Sequence, residues 1–347
     1  MNTLDENMLE LAFQFRDAKL WDVFYDNDIF AVTLSDGNIG YCSVMGKGGE
    51  HYGMVLYVGE SGWLSFIHTC DMSEVPLNSV EGYELGLSLD CINCDFMPGA
   101  KIDPKWKKAV DNYAKPLGIK LRKPYLYPDI VKHSPFKMPW NLQSEQDKRY
   151  LCEALEAALE IATTLKQGKT HIELGFEEEG ISPYDENQFV PLLTKENGLF
   201  SWGKTKLPND VYEEYGIVPY NDKPAQEAIS ELRKSGAYEC RLIHLIPFGK
   251  DKGEAPVLFP MLLCMDCNSG LILPTMKAQA VEPESHLDAL AEAIIHSQRC
   301  PKEIRITDAM TEALLSDFCK KNKIILTTQE RLPELEEAWK FLMEQFR

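Results

Sequence analysis

Apolar residues recur at intervals of three and four along the first twenty positions. Met8, Leu9, Leu11, Ala12 and Phe15 share one side of a helical wheel, which predicts an amphipathic helix from Leu4 to about Leu20. The period then shortens. The segments DIFAVTL, GNIGYCSVM, YGMVLYVG and GWLSFIHT are separated by the turns SDG, GKGGEHYG and GESG, and this close spacing predicts an antiparallel meander. A second helix is expected in DPKWKKAVDNYAKPLGI. Between Lys123 and Trp140 the pattern breaks, because four prolines in KPYLYPDIVKHSPFKMPW are expected to hold the chain out of helix and sheet. That stretch divides the chain into a first domain, 1–122, a linker, 123–141, and a second domain, 142–347.

The helical period returns in NLQSEQDKRYLCEALEAALEIATTLKQG. Ser144 is placed to cap it, Leu151, Leu155, Ala158, Ala162 and Leu165 form its apolar stripe, and Gly168 suits its exit. NQFVPLLTKENGLFSWGK predicts a hairpin turning at Glu196, Asn197 and Gly198. In NDKPAQEAISELRKSG, Asn221 or Asp222 caps a further helix, Pro224 sits in its first turn and Gly236 follows it. From about residue 237 the order is three strands (YECRLIHLIPF, APVLFPMLLCMD, GLILPTMKAQAV), helix SHLDALAEAIIHSQ, strand EIRITD, helix MTEALLSDFCKKN, strand KIILTT and helix LPELEEAWKFLMEQF. The expected fold class is an α+β N-terminal domain with an antiparallel sheet, then an α/β C-terminal domain.

Composition narrows the function classes. The 347 residues suit two domains, and no apolar run is long enough to cross a bilayer. Asp5 and Glu6 stand where a secretory signal carries Lys or Arg, so a cytoplasmic protein is expected. In that compartment the ten cysteines read as reduced thiols, several in core-like settings. A net charge of -18 repels phosphate backbones, which disfavours nucleic acid as a partner.

The element order from about 237 to 347 resembles a ribonuclease H-like domain, as in integrase and transposase cores. The resemblance implies a site in which carboxylates on the first strand, at the end of the fourth and on a late helix hold two Mg or Mn ions. Asp308, closing EIRITD, would be the second acid, and Glu336, with Glu334 and Glu337 beside it, the third. Asp266 would have to be the first, giving a divalent-metal nuclease or phosphodiesterase. The register opposes this. If APVLFPMLLCMD is the second strand, Asp266 lies at the CNSG hairpin, and the first strand offers only Glu239, Arg241 and His244 as ionisable groups.

A second chemistry is suggested by Cys91 and Cys94 in LDCINCDF and Cys264 and Cys267 in LCMDCNSG, which have the in-pair spacing of a structural zinc site. Their wide separation, and the apolar and acidic neighbours of the first pair, favour buried thiols over a zinc-stabilised scaffold. GKGGEHYG lacks the Lys-Ser/Thr ending of a phosphate loop, the histidines show no triad or metal spacing, and no G-x-S-x-G elbow occurs.

One resemblance extends over nearly the whole chain. GYCSVMG followed by YGMVLYVG, the FKMPWNLQSEQDKRYLCEALEAALEI approach to the long helix, and CPKEIRITDAMTEALL with ERLPELEEAWKFL are similar to an uncharacterised bacterial family of paired domains of unknown function. That resemblance implies a two-domain bacterial cytosolic protein and supplies no activity, cofactor or catalytic residue. The expected function is therefore a non-enzymatic binding or regulatory module without a cofactor, its partner a protein or small molecule. Tyr125, Tyr127, Phe136 and Trp140 are the expected contact surface.

Overall fold

The computed structural model describes residues 5–49, 51–72, 74–76, 78–121, 126–182, 184–185, 187–208, 214–245, 256–275 and 282–345. The chain runs α1 (Glu6–Ala18), β1 (Phe30–Thr33), β2 (Ile39–Met45), β3 (Gly53–Val58), α2 (Gly59–Met72), α3 (Val80–Leu87), β4 (Cys91–Met97), α4 (Pro104–Ala114), β5 (Tyr127–His133), β6 (Trp140–Asn141), α5 (Glu145–Lys166), β7 (Phe189–Glu196) and β8 (Leu199–Lys206). It continues through α6 (Lys223–Ser230), β9 (Ala237–Leu245), β10 (Phe259–Asp266), β11 (Leu271–Ile272), α7 (Pro283–His296), β12 (Glu303–Ile306), α8 (Ala309–Lys321), β13 (Ile325–Thr328) and α9 (Pro333–Gln345). These elements form two units: residues 1–71, 88–135 and 139–211, and residues 72–87, 136–138 and 212–347.

The first unit is built on a sheet in the order β6-β5-β4-β3-β2-β1-β7-β8, antiparallel except where β1 lies beside β7. Its central strands are apolar at nearly every position because both faces are covered. Cys42, Val44, Met54, Leu56, Ile92 and Phe96 join the core that contains Phe15 of α1 and Leu151, Leu155 and Ala158 of α5. The alternate residues Tyr41, Val55 and Tyr57 pack with Trp63 and Phe66 of α2. Ser144 caps α5 as expected, its Oγ accepting from the N–H groups of Gln146 and Asp147. The β7–β8 hairpin turns through Asn197 and Gly198, at φ 51° and 82°, the left-handed pair that a two-residue turn requires.

Three features depart from the sequence reading. GWLSFIHT is helical and forms much of α2: Trp63, Phe66, Ile67 and Cys70 recur at helical spacing and share one core, although their aromatic and β-branched content suggests a strand. The proline stretch contains β5, which pairs with β4 throughout its length. Pro128 is tolerated there because β6 pairs only with Val131 and Lys132, so β5 is an open edge at the proline. The contacts also group α5, β7 and β8 with the first unit and α3 with the second, so the expected boundary at 123–141 falls inside the first sheet.

The second unit has the sheet order β11-β10-β9-β12-β13. β10 is antiparallel to β9 and β11, whereas β12 is parallel to β9 and β13. Alternation divides its side chains cleanly. Tyr238, Cys240, Leu262 and Cys264 pack with Leu287, Leu290 and Ile294 of α7 and Leu315 and Phe318 of α8. Ile243, Met261, Leu263 and Met265 pack on the opposite face with Val80 of α3 and Leu335, Ala338 and Trp339 of α9. The elements expected after residue 220 are present, the third strand only as β11; the expected strand segments at 246–248, 255 and 276–281 lie outside the described residues. Among the described residues no helix is long and apolar enough to cross a membrane.

Candidate functional site

Strand β9 places two charged residues, Glu239 and Arg241, on the same side as Ile243, facing α9. Glu239 is 1 % exposed, and its Oε2 accepts the N–H of Leu335 at 2.9 Å, which ties the first turn of α9 to the sheet. Burial raises its carboxyl above the usual range, opposed by the N–H groups of Leu335 and Glu334. Arg241 is 8 % exposed. One terminal nitrogen donates to Thr307 Oγ1 at 2.9 Å, and Nε lies 3.7 Å from Asp308 Oδ2 with no hydrogen-bond partner among the described residues.

Asp308 is engaged elsewhere. It is the N-cap of α8, accepting from the N–H and the hydroxyl of Thr311 at 2.8 Å each, and Thr311 Oγ1 in turn accepts the N–H of Leu242. Glu336 accepts two hydrogen bonds from Arg331, at 3.2 and 2.6 Å, which hold its carboxyl below the usual range. Asp266 ends β10 and is 4 % exposed. It accepts from the N–H of Asn268 at 3.0 Å and the hydroxyl of Ser269 at 2.8 Å, and it pairs with Arg299. The three acids considered for a metal pair thus serve a helix cap, an ion pair on α9 and a hairpin.

The cysteine pairs are also separated by strand geometry. Cys91 and Cys94 stand three apart on β4, so they enter opposite cores, and Cys91 donates to Asn93 Oδ1. Burial pushes the Cys91 thiol up to about 12 and that of Cys267 up to about 11, against formation of the thiolate that binds zinc. Cys264 lies directly across from Cys240, with the two sulfurs 2.9 Å apart. Among the described residues no three His, Cys, Asp or Glu side chains are grouped to hold a metal ion.

Of the four aromatics, Tyr125 lies outside the described residues. Tyr127 is buried in the first unit, its hydroxyl donating to Asp111 at 2.7 Å. Trp140 pairs with Lys132 at the edge of the first sheet. Phe136 belongs to the second unit, stacked on His244 with ring centroids 3.9 Å apart. His244 Nδ1 is 2.8 Å from Glu84 Oε2, and the second Glu84 oxygen accepts the His244 N–H at 2.7 Å. This buried pair fastens α3 to the end of β9.

The residues that sequence reasoning missed line a cavity of about 480 Å³ in the second unit. Arg241 and Thr307 contribute from the sheet, Ser79 from the start of α3, Arg331 from the loop before α9, and Trp339 and Lys340 from α9. Only Arg241 carried a signal, as a charge in an apolar strand.

The first unit contains a different electrostatic feature. Asp95 and Asp129 face each other across β4 and β5, and burial raises the Asp95 carboxyl to about 6, with Asp129 adding to the shift. Because its unfolded value is near 3.8, the folded form binds a proton that the unfolded chain releases over that interval. The sign follows: stability falls as pH rises from about 4 to 6. Asp95→Asn is expected to stabilise the protein by about 1–2 kcal/mol at pH 7 and to flatten that slope, as read from urea unfolding at several pH values.

Residues 6–181, just over half of the chain, match the family model described as Domain of unknown function (DUF7309), and residues 226–343 match Domain of unknown function (DUF6930). No curated protein and no solved structure matches the chain. A protein that joins a sheet covered on both faces to a five-stranded mixed sheet, with these two domains in succession, belongs to the DUF7309 family and carries a DUF6930 domain behind it.

Proposed function

We propose that the second unit is a ribonuclease H-like domain that binds rather than cuts, and that the protein is a non-enzymatic binding or regulatory module of the cytoplasm. The strand order and directions support the topology: an antiparallel run β9-β10-β11 is followed by β12 and β13, parallel to β9, with α7 and α8 in the connections.

The observation that carries the non-catalytic reading is Arg241. A metal-dependent nuclease of this topology sets a carboxylate on the first strand beside the end of the fourth. Here the position on that strand beside Asp308 holds a buried guanidinium, hydrogen-bonded to Thr307 and 3.7 Å from Asp308, while the strand's own carboxylate, Glu239, lies two residues away and is bonded to the Leu335 N–H. An arginine keeps its charge at every ordinary pH, so it repels a divalent cation where the enzyme would need to attract one. The net charge of -18 further disfavours a polyanionic substrate.

The test is a manganese titration followed by electron paramagnetic resonance, with parallel hydrolysis assays on RNA, DNA and a phosphodiester model substrate. No saturable manganese binding in the micromolar range and no hydrolysis are expected. Stoichiometric binding that disappears in Asp308→Asn, accompanied by hydrolysis, would establish the nuclease instead.

A further inference from the structure

The cavity described above is lined by a buried guanidinium that is only partly satisfied. Arg241 is nine-tenths buried, yet its Nε has no hydrogen-bond partner among the described residues, and Thr307 is neutral. Asp308, its nearest carboxylate, is already held by both donors of Thr311. A buried guanidinium whose one neighbouring counter-charge is shared with a helix cap, and whose Nε makes no hydrogen bond, is costly unless another acceptor completes its shell.

The surroundings define that acceptor. Helix α3 begins at the cavity wall, so the positive end of its dipole lies there, with Ser79 Oγ accepting the N–H of Gly82 at the cap. Lys340 and Arg331 stand at the rim, and so do three acids. Glu336 is bound to Arg331, whereas Glu81 and Glu330 are exposed. A polyanion would meet those acids. A small molecule with one anionic group would not, provided that group reaches the guanidinium and the remainder of the molecule is neutral or cationic. The Trp339 side chain gives the cavity an apolar wall for that remainder.

We propose that this cavity binds a small molecule through a single carboxylate or phosphate group held by Arg241, an inference that rests on reading the second unit as a binding module. Specificity for the anionic head comes from the guanidinium, whose planar donors suit a two-oxygen acceptor. The rim sets the charge tolerated on the rest of the ligand.

The test uses the full chain at low ionic strength with inorganic phosphate as the probe, followed by phosphorus NMR line broadening, and acetate as a competitor. Saturable binding of one phosphate per chain is expected, displaced by acetate and weakened at least about tenfold in Arg241→Met. Should that variant fail to fold, the exposed rim decides: Lys340→Ala should weaken binding and Glu330→Gln should strengthen it, each by about twofold to threefold. Absence of phosphate binding, or equal binding by folded Arg241→Met, or rim variants that leave affinity unchanged, would overturn the inference. Running manganese through the same samples separates the two readings. Neither ion bound means that the anion site fails while the non-catalytic reading stands, whereas manganese bound with hydrolysis overturns that reading itself.

Discussion

Asp266→Ala is expected to lower the stability of the second unit by about 2–4 kcal/mol, the cost of leaving turn donors without an acceptor and of breaking an ion pair whose Arg299 side is partly solvated. The carboxylate is 4 % exposed at the end of β10, with the Asn268 N–H, the Ser269 hydroxyl and the Arg299 guanidinium all directed at it. Alanine leaves those donors without an acceptor and Arg299 without its counter-charge. Asp266→Asn retains an acceptor for the turn, so a smaller loss of about 1–2 kcal/mol is expected. A metal-binding acid predicts the reverse, since removing one carboxylate from a metal-free cluster relieves repulsion and stabilises the fold. Urea unfolding of the two variants discriminates these cases, and an alanine variant as stable as the parent would contradict the hairpin role.

Glu239→Ala is expected to cost about 3 kcal/mol, with a signature confined to one element. The side chain is completely enclosed, and its oxygen satisfies a backbone donor at the start of α9. Truncation leaves the Leu335 N–H unpaired in the interior and opens a void beside it. Because Leu335, Ala338 and Trp339 of α9 pack on Ile243 and Leu263, the helix should fray at its N-terminal turn before the sheet yields. Hydrogen exchange should therefore accelerate in residues 333–339 while β9 and β10 stay protected. Glu239→Gln, which keeps the acceptor, should remain within about 1 kcal/mol of the parent.

The second unit was the more legible in sequence. Its strands and helices are short and follow one another between recognisable turns and helix signals, and Asp222 is a cap that can be recognised from spacing. Asp266 could be placed at a hairpin from the run that precedes it and the CNSG turn that follows. The first unit was less legible because α2 follows β3 without a break and, lying on a covered sheet, has the same apolar and aromatic composition as the strands beside it. Trp63, Phe66, Ile67 and Cys70 keep the helical period, but Ser65 and Thr69 between them resemble strand residues. Pro128 concealed β5 because a proline is compatible with an edge strand, and the sequence does not show which strands are edges.

The site was legible only in its negative part. The first strand could be seen to lack an acid at its centre, yet nothing local indicated that Arg241 would meet Thr307 and Asp308, residues more than sixty positions away. Nor could sequence show that α3, from the first half of the chain, would form a wall around that arginine. The His244–Glu84 pair that secures α3 to β9 spans a similar gap. Both depend on tertiary pairing that a linear pattern does not encode.

On this reading the cleft beside β9 is a place for an anion and not for a metal. The measurement that tests it most directly is anomalous scattering from one crystal soaked in selenate and manganese, with data at both absorption edges. A selenium peak within hydrogen-bonding distance of the Arg241 guanidinium and no manganese at Asp308 are expected. A manganese peak shared by Asp308 and Glu336, with no selenium at Arg241, would contradict it.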